Sequence, residues 1–166
     1  NITYTDLNTI FKECDIISLH CPLTKESHHL INENTISKMR DGVILLNTSR
    51  GAIIESQALL NGLKSKKIGG AGLDVYEEES SLFYEDFSGE IINDDTLSLL
   101  VSMPNVIVTS HQAFLTNEAL QNIAQTTIEN LQDYFNEKPL KNEICYHCET
   151  GEVTTDCDKK KNGRCF

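Results

Sequence analysis

Three ionisable residues stand just past the ends of three short apolar runs: Arg50 after residues 42–47, Glu79 after residues 69–75 and His111 after residues 105–110. An imidazole, with an ordinary pKa of about 6.5, can take a proton from a hydroxyl or return one to a keto oxygen near neutral pH. A carboxylate beside the ring favours its protonated form. A guanidinium grips an anionic carboxylate through two parallel hydrogen bonds, which an ammonium cannot imitate. The set suits acid–base chemistry on a small hydroxy acid whose carbon gains or loses hydride. Each residue also has a plainer reading: Arg50 as a surface ion pair, Glu79 as part of a solvated acidic run, His111 as a structural histidine.

Positioning three such residues together requires elements that end side by side. Four apolar runs rich in β-branched residues, at 15–20, 42–47, 69–75 and 105–110, are separated by stretches with helical spacing at 5–13, 32–39 and 55–66. Alternating strand and helix predicts parallel βαβ units, and continuous rather than alternating apolarity predicts strands covered on both faces. The expected fold class is α/β, a partial doubly wound parallel sheet. In such sheets the ligand crevice lies beyond the carboxyl ends of the strands, where Arg50, Glu79 and His111 fall. A longer helix follows over 116–135, its apolar residues Leu120, Ile123, Ala124, Ile128 and Leu131 on one broad stripe. The expected divisions are 1–115, the C-terminal part of a nucleotide-binding domain, then 116–142, a helix returning to a separate substrate domain, and 143–166, a cysteine-rich tail.

The formal net charge is −11 over 166 residues. An acidic surplus makes nucleic acid an unsuitable partner, because phosphate binding needs clustered Lys and Arg. Between Val75 and Asn105 lie eight acidic residues and no basic ones, a run expected to form a solvated face. No stretch reaches the roughly 18 continuous apolar residues of a membrane helix, so a cytoplasmic protein with no membrane partner is expected. Cys14 and Cys21 lie in the body, whereas Cys145, Cys148, Cys157 and Cys165 crowd the last 22 residues. The Cys-x-x-Cys spacing of the first tail pair admits a structural zinc site, with a disordered reduced tail as its alternative. No catalytic metal is expected: His28 and His29 are consecutive and would diverge on a helix or strand, and His20 has no chemical role that spacing supplies.

The run from Ile44 to Glu55, with Asn47, Ser49, Arg50 and Gly51 in Asn-x-Ser-Arg-Gly spacing, resembles the signature of the D-2-hydroxyacid dehydrogenases. Residues 70–79, with Asp74-Val75 and Glu79, and residues 104–120, with Ser110-His111-Gln112-Ala113-Phe114-Leu115-Thr116, are similar to that family's next two blocks in order. The wording after His111 is closest to its lactate-specific members. The resemblance covers about residues 1–142. It implies an NAD-dependent enzyme interconverting pyruvate and D-lactate, with other D-2-hydroxyacids or a dinucleotide-binding corepressor-like module as alternatives. It further implies that Arg50 binds the substrate carboxylate and carbonyl, that His111 is the acid–base and that Glu79 supports it. Asp74 would lie by the nicotinamide carboxamide, Thr48, Ser49 and Arg50 on the nicotinamide side, Cys21 and Pro22 near the adenosine, and Ser27 against the cofactor. Phe114 would shape the substrate pocket. On the residues alone, Cys21 is equally a buried strand-end residue, Ser27 a turn residue and Asp74 a local hydrogen-bonding group.

Two departures from the family pattern stand out. Glu55 occupies a position where Asp is usual, a conservative change at a helix start. The Gly-x-Gly-x-x-Gly phosphate turn and the acidic ribose-binding residue do not occur in these 166 residues. The chain is therefore expected to be the C-terminal part of a longer enzyme, homodimeric when full length and inactive as this fragment, with the choice of NAD over NADP resting on residues elsewhere.

Overall fold

The computed structural model describes residues 2–79 and 93–144. The chain divides into two compact units, Asn1–Ala113 and Phe114–Phe166.

In the first unit, helix α1 (Leu7–Glu13) starts where the Asp6 carboxylate accepts the Thr9 N–H at 3.1 Å. Strand β1 (Ile16–Leu19) follows, then α2 (Glu33–Lys38), opened by a reciprocal capping box between Asn32 and Thr35. Such caps satisfy amide donors that the helix itself cannot. Next come β2 (Val43–Asn47), a short 3-10 turn (Gly51–Ile53), α3 (Ser56–Lys64) and β3 (Ile68–Leu73). Helix α4 (Asp95–Ser102) and β4 (Val106–Val108) complete the unit.

The four strands among the described residues pair parallel in the order β1-β2-β3-β4. The register pairs Leu19 with Asn47, Asn47 with Leu73 and Leu73 with Val108, so the four carboxyl ends form one row. One face of the sheet, carrying Ile17, Leu19, Val43, Leu45, Ala71 and Leu73, is buried in a single core with Phe11, Ile36, Leu59, Leu63, Leu97 and Leu100 from the four helices. Those helices lie in chain order, each against the next. The opposite face is open: Ile16, Ile44 and Ile107 are 58%, 40% and 68% exposed. Coverage on both faces, expected from continuous apolarity, is therefore not what these residues achieve by themselves. All four described helices of this unit lie against the first face.

Helix α4 is an element that the acidic run conceals. Asp94 caps it by accepting the Leu97 N–H at 2.8 Å, and Leu97 and Leu100, three apart, point into the core. Within the second unit, α5 (Asn117–Phe135) begins at Thr116, whose side chain accepts the Ala119 N–H. None of its residues is buried, and Leu120, Ile123, Ile128 and Leu131 are exposed. Among the described residues no helix is long and apolar enough to cross a membrane. The four tail cysteines and the acidic residues Glu85, Asp86 and Glu90 lie outside the described residues.

Gly51 permits the closest approach between two strand-end segments, since a Cβ there would overlap the backbone carbonyl of Tyr76. The Gly51→Ala variant should lose about 1–3 kcal/mol or more through forced backbone movement. Thermal melts of both proteins check this; an unchanged midpoint would mean that the approach is not tight.

Candidate active site

At the end of β2 the chain turns sharply, and one buried amide shapes the turn. Asn47 is 1% exposed; its Nδ2 donates to the Arg50 carbonyl at 3.0 Å and its Oδ1 accepts the Ser49 N–H at 3.1 Å. Both ends of the amide bind the loop that carries Arg50, so the loop cannot relax without exposing a buried polar group. The Ser49 hydroxyl donates to the Cys21 carbonyl at 2.5 Å, joining this loop to the one after β1. Thr48 and Arg50 are exposed, and the Arg50 guanidinium donates to the Ser49 carbonyl.

At the end of β3, Asp74 is 5% exposed and its carboxylate faces its own protein. Oδ1 accepts the Thr109 hydroxyl and the Gln112 N–H, while the Asp74 carbonyl accepts the His111 N–H. Burial alone would push this carboxyl up. The Thr109 hydroxyl, the Ala113 and Gln112 N–H groups and the nearby His111 outweigh it and hold the group below the ordinary carboxylate range. Five residues on, Glu79 accepts the Tyr76 N–H through Oε2 at 3.1 Å, and its Oε1 lies 3.3 Å from His111 Nδ1.

At the end of β4, Ser110 and His111 both have left-handed backbone, with φ of 50° and 56°. Two such residues in succession are costly, of order 1–2 kcal/mol each. The Asp74 hydrogen bonds on either side of the pair hold it there, which turns the imidazole toward Glu79. His111 and Glu79 side chains are 32% and 15% exposed, so the pair sits at a rim rather than in the core.

Sequence reasoning places Arg50, Glu79 and His111 past three consecutive strand ends, and the register sets those ends in one row. The structure brings Glu79 and His111 together directly. Arg50 comes from β2 and His111 from β4, two strands and roughly 10 Å apart, with the end of β3 between them. Of the residues expected near the cofactor, Ser27 is engaged in its own turn: its hydroxyl donates to the Pro22 carbonyl and accepts the Thr24 N–H, each at 2.7 Å. Pro22 is exposed and Cys21 partly buried at the β1 end.

Three features escape sequence reasoning. Asn47 carries a signal that could have found it, an Asn opening an Asn-x-Ser turn at a buried strand end. Glu77, counted in an expected solvated run, is instead partly buried and hydrogen-bonded. His28 and His29 do not diverge: their ring centroids are 3.9 Å apart. The pair lies in a turn, with His29 at φ 51°, where helical and strand geometry do not apply. Among the described residues, no three or more His, Cys, Asp or Glu side chains cluster so as to hold a metal ion.

A parallel sheet whose aligned carboxyl ends carry a carboxylate-paired imidazole and an exposed guanidinium defines the crevice of a Rossmann-type nucleotide-binding domain. The chain belongs to the D-isomer specific 2-hydroxyacid dehydrogenases, matching their NAD binding domain over residues 1–113. It is 51% identical over 143 residues to a D-lactate dehydrogenase of Escherichia coli strain K12, covering 86% of this chain and 44% of that protein. An aromatic 2-oxoacid reductase of Clostridium sporogenes is 47% identical over 145 residues, 87% of this chain and 44% of its own. Among solved structures, a D-lactate dehydrogenase of Treponema pallidum superposes with a TM-score of 0.79 at 42% identity, over 86% of this chain and 43% of that one. The chain thus spans less than half the length of these relatives.

Thr48 is exposed just past the end of β2, and no Gly-x-Gly-x-x-Gly phosphate turn occurs in the 166 residues. The Asp74 carboxylate has a folded pKa below its unfolded one, so its stabilisation is complete above the unfolded value and is lost as pH falls through the folded value, below about 4. Asp74→Asn should therefore lower stability at pH 7 by about 1.5–3 kcal/mol and make unfolding less acid-sensitive below pH 4. Denaturant titrations at pH 7 and pH 3.5 check both; an equal loss at both pH values would contradict the carboxylate's charged role.

Proposed function

We propose that this chain forms the C-terminal part of the NAD-binding domain of a dehydrogenase that reduces pyruvate to D-lactate. The observation that carries it is the 3.3 Å contact between His111 Nδ1 and Glu79 Oε1 at the row of strand ends beside Arg50. With Nδ1 turned to the carboxylate, the imidazole presents Nε2 to the substrate. Protonated, it donates to the keto oxygen; neutral, it takes the hydroxyl proton in reverse. Glu79 orients the ring through its contact with Nδ1, and Arg50 holds the substrate carboxylate and orients the carbonyl. NADH, when bound, supplies the hydride. Thr48, Ser49 and Asp74 line the nicotinamide side in this reading, Asp74 by fixing the histidine loop as well as by any contact of its own, and Cys21, Pro22 and Ser27 lie toward the adenosine. The helix over residues 116–142 would return to a substrate-binding domain, and the complete enzyme would be a homodimer.

The substrate is the finer part of the proposal, because the two relatives above differ by only a few per cent in identity while their names differ in substrate. Comparing kcat/KM for pyruvate and for an aromatic 2-oxo acid in the complete enzyme decides it; a preference for the aromatic acid would move the assignment within the family.

In the complete enzyme, His111→Ala should lower turnover about 10²- to 10⁴-fold with little change in NADH affinity. Arg50→Lys should raise KM for pyruvate sharply, since it keeps the charge and loses the fork. Near-native steady-state constants in either variant would remove that residue from the mechanism. The 166-residue chain alone should bind NADH weakly and reduce no pyruvate, because the backbone donors of a phosphate turn are not among its residues. Fluorescence titration with NADH checks this, and tight binding would show that the cofactor is held in another way.

A further inference from the structure

One carboxylate touches the segments after three successive strands, and the proposed chemistry makes no use of it. Glu77 follows β3. Its Oε1 lies 2.5 Å from Nε2 of His29, in the segment after β1, and its Oε2 accepts the N–H of Ser56, the first residue of α3, at 3.0 Å. The two side chains are 32% and 21% exposed for His29 and Glu77, so water screens the contact only in part. Burial would push the Glu77 carboxyl up, but the Ser56 and His29 contacts prevail and hold it below its ordinary range.

His29 is itself fixed. Its N–H donates to the Ala52 carbonyl at 2.9 Å, its carbonyl accepts Asn32 Nδ2 at 2.8 Å, and its φ of 51° is uncommon for a non-glycine residue. Beside it, Ile31 and Ile54 form a parallel bridge, with the Ile31 N–H on the Ile53 carbonyl and the Glu55 N–H on the Ile31 carbonyl. The 3-10 turn that begins immediately after Arg50 is thus held from one side by the His29 segment, and the start of α3, three residues beyond the turn, is held by Glu77. Glu77 in turn lies two residues before Glu79, which pairs with His111.

We propose that His29 and Glu77 are positioning residues that clasp the Arg50 turn to the Glu79 segment and so set the separation between the substrate-holding guanidinium and the acid–base pair. This rests on the functional reading above. Neither residue touches the reacting atoms. The clasp acts on geometry, and a displacement of about 1 Å between groups that must meet one small substrate can cost of order 100-fold in rate.

The test uses the complete enzyme with pyruvate and NADH. Glu77→Ala and His29→Ala should each raise KM for pyruvate and lower kcat, together about 10- to 100-fold in kcat/KM, with NADH affinity unchanged. His29→Gln, which keeps a side-chain donor, should recover most of that loss, and Glu78→Gln, the same loss of charge one residue away, should not reproduce it. Glu77→Gln, close in shape, serves if the alanine variants fail to fold. Variants that lower Tm while leaving kcat/KM within twofold of wild type would overturn the clasp. A wild-type enzyme that reduces no 2-oxo acid would sink the functional reading instead. The clasp would then be judged from crystals of wild type and Glu77→Gln, in which an unchanged separation between Arg50 and Glu79 overturns it.

Discussion

Parallel pairing in a single register is the constraint on which everything else here depends. Because Leu19, Asn47, Leu73 and Val108 fall in one row, every segment that leaves the sheet leaves it at the same level. Parallel strands need crossovers rather than tight hairpins, so the polypeptide must travel back along the sheet before each new strand. The three return journeys supply helices α2, α3 and α4, which join α1 in the core, and the departures carry the candidate site. A slip of one residue in any pair would turn that strand's buried side chains to the opposite face and carry its exit segment out of line.

Much of this was legible in the residues. The β-branched runs and the helical spacing between them marked the four strands and all but one helix of the first unit, because burial imposes periodicities that survive without tertiary knowledge. Helix α4 escaped notice since its polar start, Asp94 and Asp95, continues an acidic run and only Leu97 and Leu100 betray its buried side. The open face could not be foreseen either: continuous apolarity says that a strand can be covered twice, not that its own chain supplies both covers. The row of Arg50, Glu79 and His111 was recoverable from strand-end positions, but their contacts were not. Whether Glu79 meets His111 or solvent depends on two left-handed residues and on Asp74, a long-range relation with no local signature.

Polar groups do in the loops what apolar ones do in the core. Asn47 fixes the loop after β2, Asp74 fixes the loop after β4, and Glu77 joins the segments after β1, β2 and β3. Each is at least partly removed from water, and each binds backbone N–H or carbonyl groups that would otherwise be left without partners. Loops built this way are specified nearly as tightly as strands, which is why residues far apart in sequence can hold a small constellation steady. The cost of such a design is that any single break leaves a buried polar group unsatisfied.

The left-handed pair at Ser110 and His111 bears on how this protein can change over generations. The residues that occupy such backbone most comfortably are Gly and Asn. Neither carries an imidazole. If His111 has the acid–base role proposed for it, replacement by one of them would relieve conformational cost at the position that moves the proton, so folding and chemistry would select in opposite directions there. A descendant freed from the need to turn over substrate could lose this histidine and keep its fold, and could then be retained for whatever its nucleotide-binding surface still recognises.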